Sequence, residues 1–141
     1  MSLILSTICK DGFCFCADKR NIKTGGDFKD DLYKLYIFSD IPLIIFNHGV
    51  NKFGNEVWDE YCSKYEKNNK WKKLNFHKIA EDFRKFIEND IEEQLKKNFD
   101  ADLPEEFLNT AFVFCGKADN NTKFKIYELY WSYKTGDFEL K

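Results

Sequence analysis

The residues whose types and spacing could do chemistry gather in the first 49 positions. Ser2 follows the initiator Met1, and Asp18 closes the apolar run Phe13-Cys14-Phe15-Cys16-Ala17. Lys34 interrupts the apolar run Leu32–Phe38. Ser2 to Asp18 is sixteen positions, and Asp18 to Lys34 is sixteen more. Charges set into apolar runs need a partner or a task, because an isolated charge is costly to bury. A hydroxyl, a carboxylate and an ammonium are also groups from which an activated nucleophile is assembled. A further apolar run, Leu43–Phe46, leads into Asn47-His48-Gly49, where glycine suits a sharp turn.

Each of these residues also has a purely structural explanation. Ser2 is an ordinary polar terminus, and Asp18 with Arg20 makes an ion pair at a strand end. Lys34 points to solvent from an edge strand, where lysine discourages edge-to-edge pairing. Gly49 serves only its turn. His48 reads as a surface residue of that turn, and His77 as a structural residue at a helix start. The five cysteines (Cys9, Cys14, Cys16, Cys62 and Cys115) are an odd number without CxxC spacing. Such a set suits reduced thiols in a cytosolic protein better than a disulfide framework. Cys14 and Cys16 fall on one face of a strand, but His48 and His77 are too distant in sequence to add ligands. All five are therefore expected as small buried hydrophobes, with no metal and no cofactor.

Composition sets the outer limits. A chain of 141 residues with 43% apolar and 18% aromatic residues folds as one globular domain, residues 1–141. The net charge of −2, with both signs interspersed, gives no footprint for nucleic acid or a membrane surface. The apolar runs are too short to span a bilayer. No secretory signal opens the chain, so the expected location is the cytoplasm.

The pattern along the chain reads as strands, two helices, then strands. Residues 3–9 and 13–17 flank Lys10-Asp11-Gly12, a strong hairpin signal. The second of these runs lacks polar alternation and is expected to be covered on both faces. Asn21–Asp31 reads as a loop or short irregular hairpin, and Leu32–Phe38 and Leu43–Asn47 as two more strands. From Val50 to Tyr65, apolar residues recur at three- and four-residue steps, predicting a helix of about four turns. A second helix runs from Phe76 to Leu95 with Asn75 as its N-cap. Strands follow at Thr110–Cys115, Phe124–Trp131 and Phe138–Leu140. This order predicts an α+β fold, with helices on a largely antiparallel sheet.

Ser2, Lys10-Asp11-Gly12, Ala17-Asp18-Lys19-Arg20, Lys34 and Gly49 together resemble the start of a proteasome β-type subunit, in the N-terminal nucleophile (Ntn) hydrolase superfamily. The nucleophile, Asp and Lys fall at that family's spacing without a gap. The two helices, the strand ending at Gly116 and the hairpin ending at Lys134-Thr135-Gly136 continue the likeness. The resemblance implies an Ntn-hydrolase-like fold of antiparallel β-sheets with a two-helix layer. It also implies that Met1 is removed and that the Ser2 hydroxyl attacks a peptide or small amide bond, with its own α-amino group as base. Lys34 would favour the alkoxide, Asp18 would fix Lys34, and the Gly49 N–H would face the oxyanion. No cofactor or metal enters. The implied partners are an amide substrate, further copies of the chain in a dimer or ring, and an ATPase.

The chain departs from that family in three places. Serine replaces threonine at position 2, His48 stands where a small residue is usual, and the likeness ends before the family's C-terminal third. The sandwich implied is thus a truncated αββα arrangement. A rival reading is a catalytically silent assembly subunit, and a third is a small-molecule-binding α+β domain.

Overall fold

The computed structural model describes residues 4–9, 12–17, 21–22, 28–29, 33–97, 109–117 and 124–141. Its centre is an antiparallel sheet of β5 (Leu35–Ile37), β6 (Leu43–Gly49), β9 (Thr110–Lys117), β10 (Phe124–Ser132) and β11 (Asp137–Leu140). Their spatial order is β11-β10-β9-β6-β5. β9 occupies the middle and is buried along all of its length except Lys117. A strand covered on both faces has no use for polar alternation, which accounts for its unbroken run Ala111-Phe112-Val113-Phe114-Cys115.

Two helices cover one face of this sheet. α1 (Trp58–Asn68) and α2 (Phe76–Lys97) contribute Trp58, Tyr65, Phe83, Ile87 and Ile91 to a core shared with Leu43, Ile45, Phe112, Phe114, Leu129 and Trp131. Phe83 sits at the middle, its ring edge-on to Phe112 at 5.4 Å and to Phe114 at 5.3 Å. Asn75 caps α2 as its sequence predicts, its Oδ1 accepting from the Lys78 N–H at 3.0 Å. The observed class is α+β, with two helices against an antiparallel sheet.

Three expectations require correction. The first helix begins at Trp58 rather than near Val50. Gly54 (φ +63°) turns the preceding residues into a small hairpin, β7 (Lys52–Phe53) with β8 (Glu56–Val57). A glycine inside a helix is unfavourable, whereas it enters a tight turn without strain, so the local turn prevails over the apolar periodicity.

The second correction concerns β1 (Ile4–Cys9) and β2 (Gly12–Ala17), which form a hairpin running from Ile4↔Ala17 to Cys9↔Gly12. It is a separate two-stranded sheet, and Phe15 packs on Phe46 of the main sheet. Cys14 and Cys16 face the other way and are exposed, so β2 is covered on one face only. Cys62 and Cys115 are buried as expected, while the Cys9 side chain lies outside the described residues. Finally, His48 belongs to β6 and not to a turn. The short pair β3 (Asn21–Ile22) and β4 (Phe28–Lys29) fits the expected irregular hairpin.

Candidate active site

Among the described residues, the buried polar or charged side chains are Lys34 (4% exposed), Asn47 (2%) and Thr110 (0%). Buried polar groups are the informative ones in a protein interior. Here strand pairing collects all three at one end of the sheet, around Gly49. The Asn47 N–H donates to the Lys34 carbonyl at 3.4 Å, so the pairing of β5 with β6 continues back to Lys34. On the other side of β6, Gly49 lies across from Thr110. The Asn47 Nδ2 donates both to Thr110 Oγ1 and to the Ala111 carbonyl, each at 3.0 Å.

The backbone at Gly49 is held on several sides. Thr110 Oγ1 donates to the Val50 carbonyl at 2.7 Å, and the Val50 N–H donates to the Asn109 carbonyl at 3.0 Å. Asn109 is itself fixed, its Oδ1 accepting from the Tyr133 N–H at 2.9 Å. Gly49 has φ +85°, and a Cβ there would stand 2.1 Å from the Asn109 oxygen. Only glycine fits, both for conformation and for space. Successive amides of a strand point to opposite edges. Since the Asn47 N–H points toward β5 and the Val50 N–H toward β9, the Gly49 N–H is aimed to the edge on which Lys34 lies.

Lys34 does not project into solvent, although β5 is an edge strand. An ammonium kept out of water persists only where oppositely charged or hydrogen-bonding groups surround it. Ser2, Asp18 and Arg20 lie outside the described residues.

His48 carries a feature the sequence did not announce. Its Nε2 lies 3.2 Å from Glu128 Oε1, and both side chains are part-exposed. His48 on β6 and Glu128 on β10 are separated by β9, where His48 faces Ala111. Glu128 is paired with Val113, so the two side chains reach each other diagonally across β9. His77, at the start of α2, stays exposed beside Glu81 (3.3 Å) and the Tyr127 ring, in keeping with a structural role.

A second polar group ties β5 to the helix layer. One Glu66 carboxylate on α1 accepts from the Tyr36 hydroxyl (2.6 Å) and from the Ser39 N–H and hydroxyl (both 2.7 Å). Burial pulls the Glu66 pKa upward, but the three hydrogen bonds outweigh it and the carboxyl titrates below its ordinary range. Burial, then the bond to Glu66, pushes Tyr36 up to about 12, so it remains a neutral donor.

Asn47, Thr110 and Glu128 were not singled out by sequence. Asn47 did carry a signal, since it continues the alternation of the buried Leu43 and Ile45 with a polar residue. No protein-family model matches the chain, and a search of curated proteins finds no match. Among the described residues no helix is long and apolar enough to cross a membrane.

Proposed function

We propose that this chain is an amide hydrolase of the N-terminal-nucleophile kind, acting on peptide or small amide bonds through Ser2 after removal of Met1. The observation that carries the reading is the buried polar cluster of Lys34, Asn47 and Thr110 beside Gly49.

In this mechanism the α-amine of Ser2, with an ordinary pKa of about 7.7–8.0, takes the proton from the Ser2 hydroxyl. The base is covalently attached to its nucleophile and needs no separate placement. The oxygen adds to the substrate carbonyl while Lys34 stabilises the alkoxide, and Asp18 compensates the Lys34 charge. The tetrahedral oxyanion is met by the Gly49 N–H, on a strand end that Asn47 and Thr110 keep fixed; preorganised donors of this kind contribute roughly 3–4 kcal/mol. The amine proton passes to the leaving nitrogen, the C–N bond breaks, and an ester on Ser2 remains for water to cleave.

With this reading go a truncated Ntn-hydrolase-like sandwich, a cytoplasmic location, self-association as a dimer or ring, and an ATPase partner. No cofactor or metal takes part. The test is hydrolysis of a panel of fluorogenic peptide amides by the wild type and by Ser2→Ala and Lys34→Met. The expected result is turnover that each substitution lowers by at least about 10²-fold. Turnover unaffected by Ser2→Ala would overturn the assignment.

A further inference from the structure

Cys14 and Cys16 are presented together on β2. Residues two apart on a strand share a face, and Phe15 between them turns inward onto Phe46. Both cysteines are exposed, and so are their cross-strand partners Thr7 and Leu5. The thiols stand side by side on the outer surface of the hairpin, and neither is in a disulfide.

Their spacing selects the chemistry. Two rises along a strand separate the Cα atoms by about 6.6–6.8 Å. That is the upper edge of the roughly 4.4–6.8 Å a disulfide spans, and a disulfide also needs its Cβ atoms about 3.5–4.5 Å apart. Side chains on one face of a strand stand nearly parallel, so closing that gap would buckle β2 against its ladder with β1. A bridging ion demands less. A linear site only has to bring the two sulfurs within two metal–sulfur bonds of each other, which is well beyond the single S–S bond of a disulfide. Rotation about the two χ1 bonds reaches that separation with the strand unchanged. Among the described residues no group of three His, Cys, Asp or Glu side chains is placed to hold a metal ion. Two sulfurs are enough for an ion that accepts two-coordinate geometry. Soft thiolate donors select Cu(I), whereas zinc requires four ligands.

We propose that Cys14 and Cys16 form a two-coordinate thiolate site for a soft monovalent ion of the Cu(I) class. Binding forms two sulfur–metal bonds and releases two thiol protons to solvent, with no electron transferred. Cys62 and Cys115 do not compete, because both are buried and burial raises their pKa values, that of Cys115 to about 11. The site is independent of the hydrolase reading.

The test is an anaerobic titration with Cu(I), supplied from a weak competing chelate, of the chain carrying Cys9→Ser. The expected result is one retained Cu(I) per chain with a sulfur-to-copper ultraviolet band. Cys14→Ser or Cys16→Ser in the same background should abolish both signals without changing the circular dichroism. In the unsubstituted chain, bound Cu(I) should protect Cys14 and Cys16 together from alkylation. No retained copper, copper retained by either single variant, or protection of only one cysteine would each overturn the proposal.

Discussion

Phe15 and Phe46 meet with ring centroids 5.9 Å apart and planes tilted by 44°, which joins the amino-terminal hairpin to an inner strand of the main sheet. Phe15 stands two residues before Ala17, and Phe46 is paired with Leu35 and with Val113. The contact thus links β2 with β6, the strand that pairs with both β5 and β9. A half-buried aromatic pair can hold a two-stranded hairpin that would be marginal alone.

Phe46→Ala should therefore loosen the hairpin before the sheet. The expected loss is about 2–3 kcal/mol, below the usual cost of a fully buried phenylalanine. Hydrogen exchange should show the amides of β1 and β2 losing protection while β9 and β10 keep theirs. Equal loss along the whole chain would contradict the role given to this contact.

The glycines supply a matched pair of substitutions. Gly49→Ala places a Cβ 2.1 Å from a backbone oxygen at φ +85°, whereas a Cβ at Gly12 meets nothing within 4 Å. A positive φ alone costs a non-glycine residue about 1–2 kcal/mol, so Gly49→Ala should destabilise by more than about 2 kcal/mol. Gly12→Ala should change the urea midpoint far less. Comparable effects would mean that the Gly49 backbone relaxes easily, which a fixed oxyanion donor does not permit.

Much of this architecture was legible before the structure. Asn75 and the stripe from Phe76 to Leu95 mark α2 because capping and helical periodicity agree there. The first helix begins later than its periodicity predicts, because periodicity alone cannot weigh Gly54, whose turn decides the matter locally. Cys14 and Cys16 are exposed against expectation, because an apolar run records composition, not how many faces a strand has covered. For the proposed site, the sequence carries the intervals between Ser2, Asp18 and Lys34. The company of Asn47 and Thr110 was not, since it depends on the pairing of β6 with β9 across more than 60 residues.

The link between Glu66, Tyr36 and Ser39 gives stability a pH dependence at both ends. Glu66 has a folded pKa below its ordinary value. Its contribution is complete above the unfolded carboxyl pKa, near 4.5, and is lost as pH falls through the folded value. Tyr36 is shifted the other way, so its contribution is complete below pH 10 and is lost as pH rises from about 10 toward about 12. Glu66→Gln should cost about 1–2 kcal/mol at pH 7, because the carboxylate is partly exposed. It should also flatten the acid limb of a stability–pH profile measured by urea unfolding. An unchanged acid limb would show that other carboxylates govern it.

A double substitution at Lys34 and Asp18 separates chemistry from folding. Removing one partner of a buried ion pair costs roughly 3–5 kcal/mol, whereas replacing both by apolar groups is often neutral. Under the proposed pairing, Lys34→Met alone should lower the urea midpoint, and adding Asp18→Leu should restore much of that loss while turnover stays absent. A double variant no more stable than Lys34→Met would contradict the pairing.

The most direct measurement is intact-protein mass spectrometry of the chain before and after exposure to an electrophilic β-lactone. The expected result is loss of Met1 and a single adduct that maps to Ser2, absent in Lys34→Met. Retained Met1, or a free Ser2 that stays unlabelled in a folded chain, would contradict the hydrolase reading and favour a silent assembly subunit.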